Sequence, residues 1–248
     1  MALVWEKKAA ENIYQVKSAG ATKRLYTNGV FHSQYNPNYP LGGSIWDLLV
    51  LPALLSSKPI GRVLILGLGG GSAVHALRYF LPNCDITAIE IDPIHIQVAK
   101  RCFNVKPNRS TRLLQADAIT WLKNYKGSPF DFILDDLFLE NKGKPERAID
   151  VKRGWVKYLL DHLQADGILS INFHSAKALR FSTVPDNALL AKLFRSRFVF
   201  SVPGYDNRIA ALFKPQHTRA HLKEVLGNLQ KQNGTRAGRS LPVRIRAM

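Results

Sequence analysis

The chain has 248 residues, 46% of them hydrophobic, enough for one sizeable α/β core and too apolar for global disorder. Thirty-five Lys and Arg against 18 Asp and Glu give a net charge of +17, a field that attracts nucleic acid, anionic lipid or acidic proteins. No apolar run approaches the roughly 20 residues of a membrane span, "MALVWEKKAA" lacks a signal-peptide core, and Cys84 and Cys102 have no metal-ligand spacing. These features predict a cytoplasmic protein with unpaired thiols, no metal and no membrane partner.

In chain order, "NIYQVKS" and "KRLYTNGVFHSQY" read as short strands, and Asn28-Gly29 supplies the two positive-φ positions of a tight hairpin turn. "GGSIWDLLVLPALLSS" reads as a helix that closes a small N-terminal β-hairpin unit, residues 1–58. From 59 to 215, the apolar strands "RVLILG", "DITAIE", "TRLLQA", "FDFILD" and "GILSINF" alternate with "SAVHALRYF", "PIHIQVAKRCF" and "AITWLKNY". Such alternation predicts βαβ units and a Rossmann-like, mostly parallel sheet covered on both faces. The close spacing of "RFVFSV" and "RIAALF" predicts an antiparallel last strand. Residues 216–248 read as a helix over "HTRAHLKEVLGNLQKQ" and a basic, flexible tail, "NGTRAGRSLPVRIRAM".

The glycine cluster of "VLILGLGGGSAV" lies between a strand and a helix, where a turn without Cβ atoms lets a ligand approach backbone N–H groups. A dinucleotide turn asks for glycine at position 72, which is Ser72; the G-x-G-x-G spacing is met by Gly67, Gly69 and Gly71, with Gly70 between them. That spacing suits a nucleoside with an amino-acid tail, such as S-adenosylmethionine. Glu90 ends the second strand, where a carboxylate accepts from ribose hydroxyls. Asp92 stands before Pro93 as a helix N-cap. Asp117 opens a helix after the third strand and is read two ways, as a partner for the adenine amino group or as a cap. Ile91 and Ala118 sit beside these acids and join the cofactor-binding candidates. Asp135 and Asp136 end the fourth strand, and adjacent carboxylates on an extended chain point to opposite sides. Asp136, also a cofactor-side candidate, is the first choice to orient or deprotonate an acceptor, with Asp135 second. Tyr205, the third catalytic candidate, and His174 follow later strands as acceptor-side groups, and His32 and Tyr35 are read as parts of a lid.

These segments, from Tyr14 to Phe213, resemble the spermidine synthase family and, more widely, the class I S-adenosylmethionine-dependent methyltransferases. The resemblance rests on "RLYTNGVFHSQY", "VLILGLGGGSAV", "AIEIDPIHIQVAK", "QADAITWL", "FDFILDD" and "VPGYDNRIAAL". It implies a Rossmann-like fold, S-adenosylmethionine or its decarboxylated form as cofactor, and compatibility with a homodimer. The departures are specific. The family's turn acid is Gly70 here, its second catalytic-loop acid falls on Leu139 and the following proline on Glu140. Its polyamine-binding "YHE" step is Ile45-Trp46-Asp47, and His32 replaces a glutamine. An acid facing the amine of decarboxylated S-adenosylmethionine would repel an intact carboxylate by ~4 kcal/mol at about 4 Å and an effective dielectric of about 20. Its loss predicts tolerance of intact S-adenosylmethionine and methyl transfer to an unidentified acceptor. Polyamine aminopropyl transfer is the alternative, and a non-catalytic protein binding nucleic acid or an acidic partner is the third. No N-P-P-Y-type acceptor loop follows the fourth strand to choose the acceptor.

Overall fold

A computed structural model describes residues 1–141, 143–232 and 241–248. The N-terminal unit is larger than a hairpin. Strands β1 (Ala2–Ala9), β2 (Asn12–Ala19), β3 (Thr22–Thr27) and β4 (Val30–Tyr35) form a four-stranded antiparallel meander. The β3–β4 turn is the one expected: Thr27 pairs with Val30, with φ 50° at Asn28 and 80° at Gly29. Helix α1 (Ile45–Leu54) follows, and all ten of its residues are buried.

The main sheet has eight strands. Five run parallel in the order β7 (Thr111–Gln115), β6 (Asp85–Glu90), β5 (Arg62–Leu66), β8 (Phe130–Asp135) and β11 (Leu163–Phe173). Antiparallel β13 (Arg208–Phe213) follows, then β12 (Ser196–Ser201), confirming the expected terminal hairpin. β14 (Arg244–Ala247) adds an eighth strand antiparallel to β12, so the part of the basic C-terminal segment that is described is strand rather than tail. Residues 233–240 of that segment lie outside the described residues.

Alternation along the strands sends side chains to two cores. Val63, Ile65, Phe132 and Leu134 pack with α1, α2 (Ser72–Phe80) and α8 (Arg219–Gln232). Leu64, Leu66 and Ile133 face α4 (Ala118–Asn124) and α5 (Arg153–Asp161). Helix α3 (Pro93–Arg101) joins the two units: its Val98 packs with Phe103 against Val16 and Leu25 of the meander.

The order reverses between β5 and β8, because the chain runs outward through β6 and β7 before returning to the other side of β5. Open α/β sheets bind ligands at the carboxyl ends of the strands at such a switch point.

Candidate functional site

The strand tips are in register. Leu66 pairs with Ile89 and with Asp135, and Glu90 with Gln115. The next residues along, Gly67, Glu90, Asp117 and Asp136, therefore converge on one cleft of about 560 Å³. Its walls come from the meander (Val30, Phe31, His32), α1 (Ile45, Trp46) and the loop Gly204–Asn207. Its roof is a hairpin absent from the sequence reading: β9 (Phe138–Asn141) and β10 (Lys144–Arg147).

Gly67 has φ 90°, and a Cβ there would overlap the carbonyl of Asp136. This close approach seats β8 against the turn and explains the glycine. Gly69 (φ 53°) also lines the cleft. Gly70 and Gly71 are not among the cleft-lining residues. A Cβ at Gly70 would lie 2.9 Å from the Phe103 ring and 3.0 Å from Ser33, and one at Gly71 2.6 Å from Val105. Position 70 thus faces the packing between meander and α3, which corrects the expectation that its missing acid discriminates by facing the ligand. Ser72 ties α2 to β4, its hydroxyl donating to the Gln34 carbonyl (2.6 Å) and pairing with Ser33 Oγ (2.6 Å).

Glu90 is 8% exposed and does more than await a ribose. Its Oε2 accepts from the N–H groups of Leu68 and Gly69, and its Oε1 from that of Asp92, each at 3.0 Å. Burial alone would push its carboxyl up. His95, 3.8 Å away, and the Asp92 and Gly69 amides outweigh burial and hold it below the ordinary carboxylate value. His95 is the converse: burial lowers it, but Glu90 and Asp92 win and raise it. His95 is also hydrogen-bonded to Thr27 Oγ1 (2.9 Å), and Tyr14 Oη donates to Asp92 Oδ2 (2.8 Å), so the meander braces the Glu90 side of the cleft. Burial, and then the charge of His95, push His32 down to about 4, leaving it neutral.

Asp117 is the helix cap that one of its two readings expects, and it also faces the cleft. Its Oδ1 caps α4 by accepting from Thr120 N–H (2.7 Å), which holds its carboxyl low, while the residue lines the cleft beside buried Ala118. Asp92 caps α3 as expected, accepting from Ile94 N–H at 2.7 Å. Ile91, 54% exposed, is an apolar side chain standing free at the cleft wall, as a flat aromatic ligand requires.

The two β8 carboxylates part company. Asp135 is fully buried on the far side, where Arg147 Nη2 donates to both of its oxygens (2.9 and 2.8 Å) and Trp155 Nε1 to Oδ2 (2.8 Å). Asp135 is therefore spent on anchoring the base of the roof hairpin and does not line the cleft, so it is no longer an acceptor-side candidate. Asp136 lies on the cleft floor. Burial pushes its carboxyl up to about 7, against the pull of Asn172 and Arg147. Asn172 Nδ2 donates to Asp136 Oδ1 (2.7 Å), and Asn207 Nδ2 to Asn172 Oδ1 (3.0 Å). Tyr205, half-buried, and exposed His174 line the cleft on the same side as Asp136 and Asn172. Asp47 does not: its Oδ2 accepts the Ser44 N–H at the start of α1 (2.7 Å), and burial raises its carboxyl to about 6.

The sequence reading missed His95, Asn172, Asn207, Asp206 and the roof. His95 lies one helical turn beyond the Glu90 tip and Asn172 two residues before His174, so strand-end proximity was the available signal. The roof's tip is held by Asn28 Nδ2 donating to Glu140 Oε2 (2.8 Å). Among the described residues, four carboxylates (Glu90, Asp117, Asp136, Asp206) and no Lys or Arg line the cleft, an acidic site in a strongly basic protein. The described residues contain no group of three or more His, Cys, Asp or Glu able to hold a metal ion, and no helix long and apolar enough to cross a membrane.

Known proteins resemble the chain as follows. The polyamine aminopropyltransferase of Vibrio vulnificus is 32% identical over 157 residues, 62% of this chain and 50% of that protein. The chain thus matches half the length of that curated relative. A probable spermidine synthase of Corynebacterium glutamicum superposes with TM-score 0.76 at 13% identity, over all of this chain and 91% of the other. Human methyltransferase-like protein 13, solved with S-adenosylhomocysteine, gives TM-score 0.62 at 22% identity over 79% and 92% of the two chains. No protein-family model matches.

Proposed function

We infer that this chain, a spermidine synthase-like member of the class I S-adenosylmethionine-dependent methyltransferase superfamily, transfers a methyl group from S-adenosylmethionine to an amine. The observation that carries this reading is the convergence of Gly67, Glu90, Asp117 and Asp136 at in-register strand tips around one cleft.

The cleft suits the cofactor. Its volume lies within the roughly 300–1,000 Å³ typical of small-molecule sites. Glu90, which keeps an acceptor site beyond the three amides it holds, would take a ribose hydroxyl, Asp117 and Ala118 would meet the adenine edge, and Ile91 would cover its face. When bound, the cofactor supplies an electrophilic methyl on a sulfonium. Asp136 receives the proton of the acceptor nitrogen as the nitrogen–carbon bond forms and the carbon–sulfur bond breaks. A carboxyl near 7 divides its time between acid and base at neutral pH, which suits that role. Asn172 fixes its Oδ1.

The acceptor side supports methyl transfer over polyamine synthesis. Asp47 is committed to its helix cap, Ile45 and Trp46 present apolar faces, and 48% exposed Leu139 stands where the family's second acid would be. Aminopropyl transfer is the second reading, favoured by the likeness to a spermidine synthase over the whole chain, meander included. Calorimetric titration with S-adenosylhomocysteine and with decarboxylated S-adenosylmethionine separates the two. Tighter binding of the decarboxylated compound together with turnover of putrescine would refute methyl transfer.

A further inference from the structure

The net charge of +17 is not spread evenly. A second groove, of about 280 Å³, lies between α8 and β14. It is lined by Arg219, Lys223, Val243, Arg244, Ile245 and Arg246, four cations with no acid among the lining residues. Glu224, the only acid of α8, is not one of them. Arg219 and Lys223 stand four apart on one helix face. Arg244 and Arg246 stand two apart on one face of an edge strand, with Ile245 buried between them. All four cations are exposed, and none belongs to an ion pair among the described residues. Like charges at both spacings repel, so the free protein bears a cost that a matching anion relieves.

We propose that this groove binds the phosphate backbone of a nucleic acid. Three of the four cations are arginines, whose planar forks suit phosphate oxygens. Along β14 the Cα atoms of the two arginines are about 6.7 Å apart by strand rise, a repeat that a regularly spaced polyanion can follow. A lipid surface is a poorer match, because among the described residues from 219 onward there is no exposed large apolar side chain. The groove shares no residue with the cofactor cleft, so nucleic-acid binding there does not rest on the methyl-transfer reading.

The test uses the full chain and a fluorescein-labelled single-stranded RNA of about 20 nucleotides, with anisotropy followed from roughly 50 to 300 mM NaCl. Each phosphate contact contributes ~0.7 to the slope of log affinity against log salt for a single strand. The pair Arg244→Gln with Arg246→Gln should flatten the slope by about 1.4, and so should Arg219→Gln with Lys223→Gln, made in a separate element in case the first pair perturbs folding. S-adenosylhomocysteine affinity should be unchanged in both. The exposed pair Lys106→Gln with Arg109→Gln, away from the groove, should leave the slope intact. An equal effect of that control pair would assign binding to diffuse charge and overturn the proposal. Tighter binding of an oligoglutamate peptide than of RNA, lost in the same groove variants, would overturn it in favour of an acidic protein partner.

Discussion

Replacing Glu90 by glutamine tests whether this carboxylate is both ribose ligand and structural clasp. Its two oxygens accept three main-chain N–H groups, from Leu68, Gly69 and Asp92. The amide has one oxygen. With that oxygen on Leu68 and Gly69, its NH2 confronts the Asp92 N–H, leaving a buried donor unpaired at about 1–3 kcal/mol. Taking ~2 kcal/mol, and about 2–4 °C per kcal/mol for a chain of this size, the melting temperature should fall by roughly 4–8 °C. The deficit should depend on pH. The Glu90 carboxyl is lowered on folding, so its contribution is present above the ordinary value of 4.5 and is lost as pH falls through the folded value. His95 is raised, so its contribution is present below 6.5 and fades as pH rises through its folded value. Glu90→Gln should therefore hurt most between about 4.5 and 6.5 and least at either extreme. Scanning calorimetry from acid to mildly alkaline pH, with and without S-adenosylhomocysteine, reads both effects. A melting temperature equal to wild type, or a deficit independent of pH, would refute the clasp.

Three further outcomes follow from the same geometry. Asp136→Asn should keep cofactor affinity and lower turnover by about 10²–10⁴-fold. Because burial raises Asp136 to about 7, ionising it costs the folded state stability above the unfolded value of 3.8, so the variant should melt no lower than wild type at pH 8. Wild-type turnover should rise with pH through about 7, and a flat profile argues against a proton acceptor here. Arg147→Ala strands a fully buried Asp135 carboxylate and should cost about 3–5 kcal/mol in denaturant titration; a loss below ~1 kcal/mol would mean that Trp155 alone satisfies it. Glu140→Ala removes the Asn28 contact at the roof's tip and should speed amide hydrogen exchange across 138–147 while sparing the sheet strands.

What the sequence makes legible is whatever depends on neighbours along the chain. Asn28-Gly29 can only be a tight turn, Asp92-Pro93 can only open a helix, and an apolar strand ending in Gly67 announces a ligand turn. Contacts between distant segments were not readable. β1 buries little: Trp5 packs partly against the meander core, while Leu3 and Val4 are both about half exposed, so it gives no alternating signal. The roof hairpin "FLENKGKPER" is polar and short, and its folding back shows only in space, where Arg147 reaches Asp135 and Glu140 meets Asn28. The same contact decides between the two β8 acids, which strand alternation separates without saying which faces the ligand. The direction of position 70 likewise depends on Phe103 and Ser33 arriving from elsewhere.

The seam between meander and main sheet has a consequence for how this protein can be dissected. Tyr14 holds Asp92, Thr27 holds His95, Ser33 and the Gln34 carbonyl hold Ser72, and the Tyr35 ring stacks on His75 at 3.8 Å. Each tie ends on α2, α3 or the turn before α3, the segments flanking the cleft. Trimming the chain to its Rossmann portion would therefore yield not a minimal enzyme but a lobe stripped of the splint that shapes its pocket, and chimaeras that exchange the two parts should be cut so that these partners travel together.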